Sequence, residues 1–425
     1  MKKKVVLLAL VLAIIVGLSS CSKNKSSEDS VSSSVKEKDE TVTLSIMGWL
    51  ECNQDGLQAV ADLYTKANPN VTVEIELLET SQYDQVYMAR MASGEGADIM
   101  ATRNESADKK NYAAGDYVAD LSNLECRVNF KEGMDEAGSY EGIIQSFPIQ
   151  ADVWGVWYNE DLLAELNLEF PKTIGEFMQC CEVAKDANIL PIANGLKDGW
   201  TVWMSVWTLW GKVAEDDPNF FNKAQLGEVK FSDNPNVEWG IQQMKDYYDA
   251  GYYIEDLLGT SQESAQQMFF NGEALFCPSG SWFLSELNAA NLDFEFGFAK
   301  QPYNEEIQDD IYAQGGYSSM LSVYKDSKNI DIAKDFINFF YQPENYSVYC
   351  KKAGVTGVVL KDIEVEGGAA AQDIADCISA KGVNLHPGSA QDTLHSGVQA
   401  VIANQKTPAE VVLDMDKAIE KSLDK

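Results

Sequence analysis

From Thr41 onward the chain predicts an α/β protein of two domains, and three observations carry that expectation. Thr41–Leu77 reads as strand, helix, strand, the opening unit of a parallel sheet. Ile149, Val153, Trp154, Val156 and Trp157 make a strand that is apolar on both faces, as suits the interior of a sheet. The length beyond Thr41, in a chain of 425 residues, is enough for two domains of ordinary size with sizeable cores.

Two short segments precede that body. Met1–Ser20 holds Lys2, Lys3 and Lys4 and then an apolar run from Val5 to Leu18, which is too short and wrongly flanked for a stable membrane span and reads as a signal peptide. It ends in Leu18-Ser19-Ser20-Cys21, which resembles the lipobox of bacterial lipoproteins. That resemblance implies cleavage before Cys21, acylation of this residue, and attachment to the outer face of the cell membrane through its lipid chains. An ordinary secretory signal with an incidental cysteine is the alternative. Residues 21–40 then form a tether, because Ser22–Glu40 is polar and charged apart from two valines and cannot bury enough surface to fold. As a coil of this length it reaches roughly 20–25 Å.

The net charge is −33, and the leader carries three lysines and no acids, so the mature chain is more acidic still. This balance argues against nucleic acid or an anionic membrane surface as a partner, and mildly against an anionic ligand. With only His386 and His395, histidine catalysis and a multi-histidine metal site are not expected, and no cofactor is called for. Seven cysteines remain once Cys21 is modified, without CxxC spacing, and the adjacent Cys180 and Cys181 are poorly placed to pair. Mostly buried free thiols are expected, with one distant disulfide left open.

Thr41–Met47 alternates polar and apolar residues and is a strand, with Gly48-Trp49-Leu50-Glu51 at its carboxyl end. Leu57–Ala67 is an amphipathic helix, Val71–Leu77 a strand, Tyr83–Ala92 a helix, and Ser93–Met100 a turn and strand. In open α/β sheets ligands sit beyond the carboxyl ends of the strands, which singles out the loops Gly48–Asn53 and Ala101–Asn104. Pro148 ends one segment, the doubly apolar strand follows, and Tyr158–Asp161 turns into a short helix bearing Leu162, Leu163 and Leu166. A further helix begins at Thr173, its expected N-cap, with Glu176 as capping-box partner. Trp200, Trp203, Trp207 and Trp210 recur at intervals of three, four and three along one helix face. Most of such a stripe belongs to a core. Trp200, at the helix start beyond Asp198 and Gly199, is best placed to leave it, and Trp203 next. Ile330–Tyr341 is a helix stopped at Gln342-Pro343-Glu344, and Val401–Leu423 is the last helix.

Ser146–Phe177 resembles the extracellular solute-binding proteins of bacterial ABC importers, in their maltose-binding-protein-like carbohydrate group. A passage of that family, proline, then Gly-x-x-Tyr-Asn-x-Asp-Leu-Leu, then Pro-x-Thr-x-x-Glu-Phe, is matched by Pro148, Gly155, Tyr158, Asn159, Asp161, Leu162, Leu163, Pro171, Thr173, Glu176 and Phe177. Ser93–Met100 fits its Ser-Gly and Asp-Ile passage. Phe269 or Phe270, Gly272, Ala274, Gly280 and Trp282 fit its F-x-x-G-x-A, strand, G-x-W segment, and Gly315-Gly316 before Met320–Val323 fit its double-glycine passage. The likeness covers roughly residues 41–425.

The resemblance implies a two-lobed, periplasmic-binding-protein-like fold, a Venus flytrap whose discontinuous lobes are joined by a hinge of two or three crossing strands. Residues 41–148 with 303–345 are expected in lobe 1 and residues 149–302 with 346–425 in lobe 2, the return crossing falling at Gly297–Pro302. It also implies binding without catalysis, a carbohydrate ligand of oligosaccharide size, the membrane subunits of an ABC importer as partner, and a monomer outside the cytoplasm. A sugar offers C–H faces to aromatic rings and hydroxyls to carboxylates, amides and guanidinium groups. The expected contacts are therefore Trp49, Glu51, Arg103 and Asn104 in lobe 1 and Trp200, Trp203 and Trp282 in lobe 2. Gly316 would admit the ligand to backbone amides and Tyr317 would offer a hydroxyl. Trp282 comes first, since the family stacks its tryptophan there on the sugar. Plainer readings stand beside these: Trp49 as a cap on its core, Glu51 and Arg103 as surface charges, Trp282 as packing. The alternative ligand on this scaffold is a polyamine or a peptide. A secreted glycosidase would need two carboxylates at a set separation, and no motif singles out such a pair.

Overall fold

The computed structural model describes residues 41–424 except residues 105, 318, 365–367, 380 and 381. The expected signal peptide, the tether and Cys21 lie outside the described residues.

The strands are β1 (Val42–Trp49), β2 (Val71–Leu78), β3 (Ile99–Thr102), the hairpin β4 (Ser139–Tyr140) and β5 (Ile143–Ile144), β6 (Phe147–Pro148), β7 (Asp152–Asn159), β8 (Leu190–Ile192), β9 (Ala274–Gly280), β10 (Phe296–Ala299), β11 (Ala313–Gly316), β12 (Met320–Val323) and β13 (Gly382–Val383). They make two large sheets. In the first the order is β2-β1-β3-β12-β6, with β1 parallel to both neighbours and β12 antiparallel to β3 and β6. In the second the order is β13-β11-β7-β9-β8, and β10 also pairs with β7. Each sheet has its own hydrophobic core, so the molecule is a two-lobed α/β protein.

The strand that is apolar on both faces is β7. Its Trp154, Val156 and Tyr158 face one core, shared with the helix Gly199–Asp216, while Val153 and Trp157 face another, shared with the helix Gly368–Ser379. Alternation thus sends every second side chain into a different helical layer, which is why no position of this strand is polar after Asp152 until the chain leaves it. Helix Ile174–Asp186 starts as the sequence predicts: Thr173 accepts from the Glu176 amide and the Glu176 carboxylate accepts from the Thr173 amide.

The lobes exchange chain three times. Ile149–Ala151 joins β6 to β7, Tyr317–Ser319 joins β11 to β12, and the segment after Leu360 leads to the helix Gly368–Ser379. The crossings are laced together: the Ile149 amide donates to the Ser319 carbonyl at 2.9 Å and the Ala151 amide to the Gly357 carbonyl at 2.8 Å.

Two boundaries differ from expectation. The chain does not return to lobe 1 at Pro302, because β10 and β11 both pair with β7. Tyr303 is fully buried, and its hydroxyl donates to Glu215 Oε1 of lobe 2 at 2.9 Å, so residues 303–316 stay with the second sheet. Nor does lobe 2 resume at residue 346. The helix Pro343–Ala353 carries Tyr346 and Tyr349 into the core of the first sheet, followed there by Val358, Val359 and Leu360.

The seven cysteines of the described residues form no disulfide with one another, six of them being buried and Cys377 half-buried. Burial pushes the Cys180 and Cys377 thiols up to about 11, so both are protonated at neutral pH.

Candidate ligand-binding site

The lobe 2 side is built from β7, the end of β9 and one helix. In register, Trp154 of β7 lies opposite Gly280, the last residue of β9. Two residues on, the Trp282 indole folds back across that glycine. A Cβ at position 280 would lie 1.9 Å from the ring, so only glycine lets it settle there. Trp157 Nε1 holds the same turn by donating to the Gly280 carbonyl at 3.1 Å.

From Trp282 the aromatic rings continue as a row. Trp154 lies 5.0 Å from Trp282 and 5.6 Å from Trp207 between ring centroids, edge to face in both pairs. Trp207 lies 4.7 Å from Trp203, and His386 closes the row at 5.4 Å from Trp207 and 6.0 Å from Trp203. Trp282, Trp154, Trp203 and His386 are half-buried, whereas Trp207 is buried among them. Trp200, at the start of the same helix, is 39% exposed. Trp210 belongs to the core instead, its Nε1 donating to the Val237 carbonyl at 3.0 Å.

The floor between the lobes is polar. Asp152, 3% exposed, pairs in register with Gly316 and accepts from Ser281 Oγ at 3.2 Å and Gln150 Nε2 at 3.0 Å. Gly316 has open space where a side chain would stand, as an approach to its backbone requires. Tyr317 is half-buried against the core of the first lobe, and burial raises its phenol above the usual range, which keeps it a donor at neutral pH. The lobe 1 loop reaches this floor through Cys52, whose thiol contacts Ser319 Oγ at 3.8 Å.

Trp49 departs from expectation. It is 2% exposed, edge-on to Tyr83 at 5.1 Å, and the Arg103 guanidinium lies over its ring at 4.2 Å. The face expected to stack on a sugar is therefore covered by a cation–π contact, worth about 0.5–2 kcal/mol. Arg103 itself is half-buried, its amide donating to the Tyr112 hydroxyl at 3.1 Å. Asn104 accepts from Lys109 Nζ at 3.4 Å. Glu51 occupies the turn Leu50–Cys52, and its side chain lies outside the described ones.

Of the expected residues, the structure brings Trp282 and Trp203 into one row and sets Gly316 and Tyr317 at the crossing beside it. Trp154, Asp152 and His386 were missed. Trp154 carries no local signal, because every residue of a strand between two helical layers is apolar. His386 was visible only as one of two histidines, although the Pro387-Gly388 turn behind it marks a fixed loop. Among the described residues no group of His, Cys, Asp and Glu is placed to hold a metal ion.

The family model for bacterial extracellular solute-binding proteins matches residues 53–347. The chain belongs to this family. Among its relatives, this solute-binding protein is 23% identical over 341 residues to the multiple sugar-binding protein of Streptococcus mutans, spanning 79% of this chain and 78% of that one. It is 22% identical over 349 residues to the melibiose/raffinose/stachyose-binding protein MelE of Bacillus subtilis, spanning 80% and 77%. Among solved structures, a chitin oligosaccharide binding protein matches with a TM-score of 0.78 at 25% identity, over 90% of this chain and 98% of that one. The raffinose complex of the solute-binding protein RafE matches with a TM-score of 0.72 at 20% identity, over 89% and 99%. Extracellular solute-binding proteins work outside the cytoplasm, where a two-lobed fold of this kind meets its ligand.

Proposed function

We propose that this solute-binding protein captures a carbohydrate of oligosaccharide size between its lobes and delivers it to the membrane subunits of an ABC importer. The observation that carries this is the row Trp282, Trp154, Trp207, Trp203. Centroid steps of 5.0, 5.6 and 4.7 Å set the half-buried Trp282, Trp154 and Trp203 around the buried Trp207, spreading aromatic surface over more than one ring's length, which suits a chain of sugars better than a single one. The relatives named for multiple sugars, raffinose and stachyose, and a neighbour named for chitin oligosaccharide, support the same reading. Trp282, Trp154 and Trp203 supply the aromatic surface, Trp200 adds an exposed ring at the start of the helix that carries Trp203, and Gly316 and Tyr317 lie at the crossing. Arg103, Asn104 and Glu51 bind hydroxyls from lobe 1. Trp49 joins them when Arg103 swings onto the ligand.

The ligand bridges both lobes, so it favours the closed form in which both sets of contacts are made. The closed form presents a joint surface to the importer. No reaction is required, and the protein acts as a monomer, held at the membrane by acylated Cys21 through the tether of residues 21–40.

A thermal-shift screen of residues 41–425 against mono- and oligosaccharides, polyamines and short peptides tests this. A hundredfold excess of ligand over its Kd adds about 2.7 kcal/mol to the folded state. A sugar series is expected to raise the melting point. A rise with an amine or peptide and none with sugars overturns the carbohydrate reading and leaves the family unaffected.

A further inference from the structure

We infer that a pocket between the two lobes is a second binding site, taking a small carboxylate whose apolar body has the bulk of an isobutyl group or a benzene ring. It is independent of the carbohydrate reading above, since the pocket shares no lining residue with the tryptophan row or with Gly316 and Tyr317. Its volume is about 150 Å³. The first lobe gives Lys131 and Met134 as one wall and Thr356–Val358 as the base, while Ala375 and Ile378 of the helix Gly368–Ser379 make the other wall. Ile378 packs against the cores of both lobes. An apolar cavity of about this volume takes a benzene ring.

Backbone pairing fixes the walls. The Lys131 amide donates to the Val359 carbonyl and the Lys361 amide to the Asn129 carbonyl, both at 2.9 Å, with Phe130 opposite Leu360 between them. At the base the Ala151 amide holds the Gly357 carbonyl at 2.8 Å, and Ile378 Cδ1 lies 2.9 Å from where a Cβ on Gly357 would stand. The lining side chains are apolar except those of Thr356 and Lys131. Lys131 is half-buried, and its ammonium has no hydrogen bond or ion pair among the described residues. Burial holds that ammonium below the usual lysine range, and the Cys350 thiol that acts on it is itself pushed up to about 12 by burial, so it is protonated and brings no negative charge. Asp135, next to Met134, is engaged by Arg127 at 2.8 Å. The pocket thus combines one uncompensated positive charge, a hydroxyl and apolar walls. A carboxylate pairs with the ammonium while its hydrocarbon fills the remaining space, whereas a neutral molecule leaves the charge uncompensated and a cation is repelled. The acidity of the chain as a whole disfavours anions, but beyond a Debye length that effect is screened and the local charge prevails.

The test titrates the full chain, without sugar, with isovalerate and benzoate, and with two controls: acetate, which lacks the apolar body, and benzyl alcohol, which lacks the charge. Isovalerate and benzoate are expected to bind saturably at millimolar concentration or below and to raise the melting point, with acetate and benzyl alcohol about tenfold or more weaker. Lys131→Met keeps the stem and removes the charge, and is expected to weaken benzoate about tenfold or more. Ala375→Leu fills the pocket and is expected to abolish binding. Melting points without ligand report whether each variant folds, and the comparison of benzoate with benzyl alcohol on the wild type needs no variant at all. The inference is overturned if neither carboxylate binds, or if benzyl alcohol binds as tightly as benzoate. It is equally overturned if Lys131→Met or Ala375→Leu binds benzoate as the wild type does, since the anion would then sit elsewhere. None of these outcomes touches the carbohydrate reading, which the sugar screen tests by itself.

Discussion

Gly280 and Trp282 act as one unit, because the indole occupies the space that any side chain at position 280 would fill. Gly280→Ala is therefore expected to displace the indole and weaken sugar binding about tenfold or more, with a loss of melting temperature as the clash is relieved. Trp282→Ala is expected to abolish measurable binding while the unliganded protein stays folded, since the ring is only half-buried. Calorimetry beside a melting curve separates the two effects. The sequence singles out Trp282 through its likeness to the family's G-x-W segment, and the packing of that indole on Gly280 needs only two residues' separation. The contact of Arg103 with Trp49 was not legible in the sequence, because Arg103 comes from a different strand end and nothing near Trp49 in the chain announces it.

Caps and strand edges carry the next level of consequence. Thr173→Ala removes one side of the capping box and is expected to cost about 1 kcal/mol in denaturant unfolding without altering ligand affinity. That box was readable beforehand because cap chemistry spans four residues. β11 and β13 were not, because a Gly-Gly strand and a two-residue strand owe their existence to partners far along the chain.

Where β7 ends, Asp373 lies close enough to disturb Glu160. Burial raises the Glu160 carboxyl, and Asp373, Glu295 and Asp161 add to it. Asp373 is likewise raised, by burial first and by Asp376, against the pull of the Phe298 amide that donates to it at 3.5 Å. A carboxyl with a higher pKa folded than unfolded binds protons more readily in the folded state. Its penalty is full above the folded pKa and vanishes below the unfolded one. Asp373→Asn, which keeps an acceptor for Phe298, should then melt higher than wild type at about pH 7. The gap should narrow toward about pH 4. A gap that is constant with pH would show that these carboxyls are not its source.

At the scale of the whole molecule the three crossings decide both shape and what the sequence hides. Two lobes could be foreseen from segment order, yet the allotment of residues 303–316 and 346–360 could not. These stretches are placed by long-range pairing with β7 and by packing on the first core, not by any local pattern. Against the first crossing, a Cβ on Gly357 would lie 1.7 Å from the Ala151 carbonyl oxygen. Gly357→Ala is thus expected to loosen the Ala151–Gly357 bond that laces the hinge and to destabilise the protein by about 1–3 kcal/mol in urea unfolding.

The first sheet seats β12, residues 320–323, between β3 and β6, while the second core takes Val411 and Met415 from the helix Pro408–Leu423. During synthesis, then, the first core cannot close before Leu360 has been made, nor the second before Ile419. Long-range closure of this kind slows folding. A nascent polypeptide that must be threaded across a membrane before it folds gains from such delay an interval in which it stays extended enough to pass. A fragment ending at residue 312 should show no cooperative unfolding, and the full chain should.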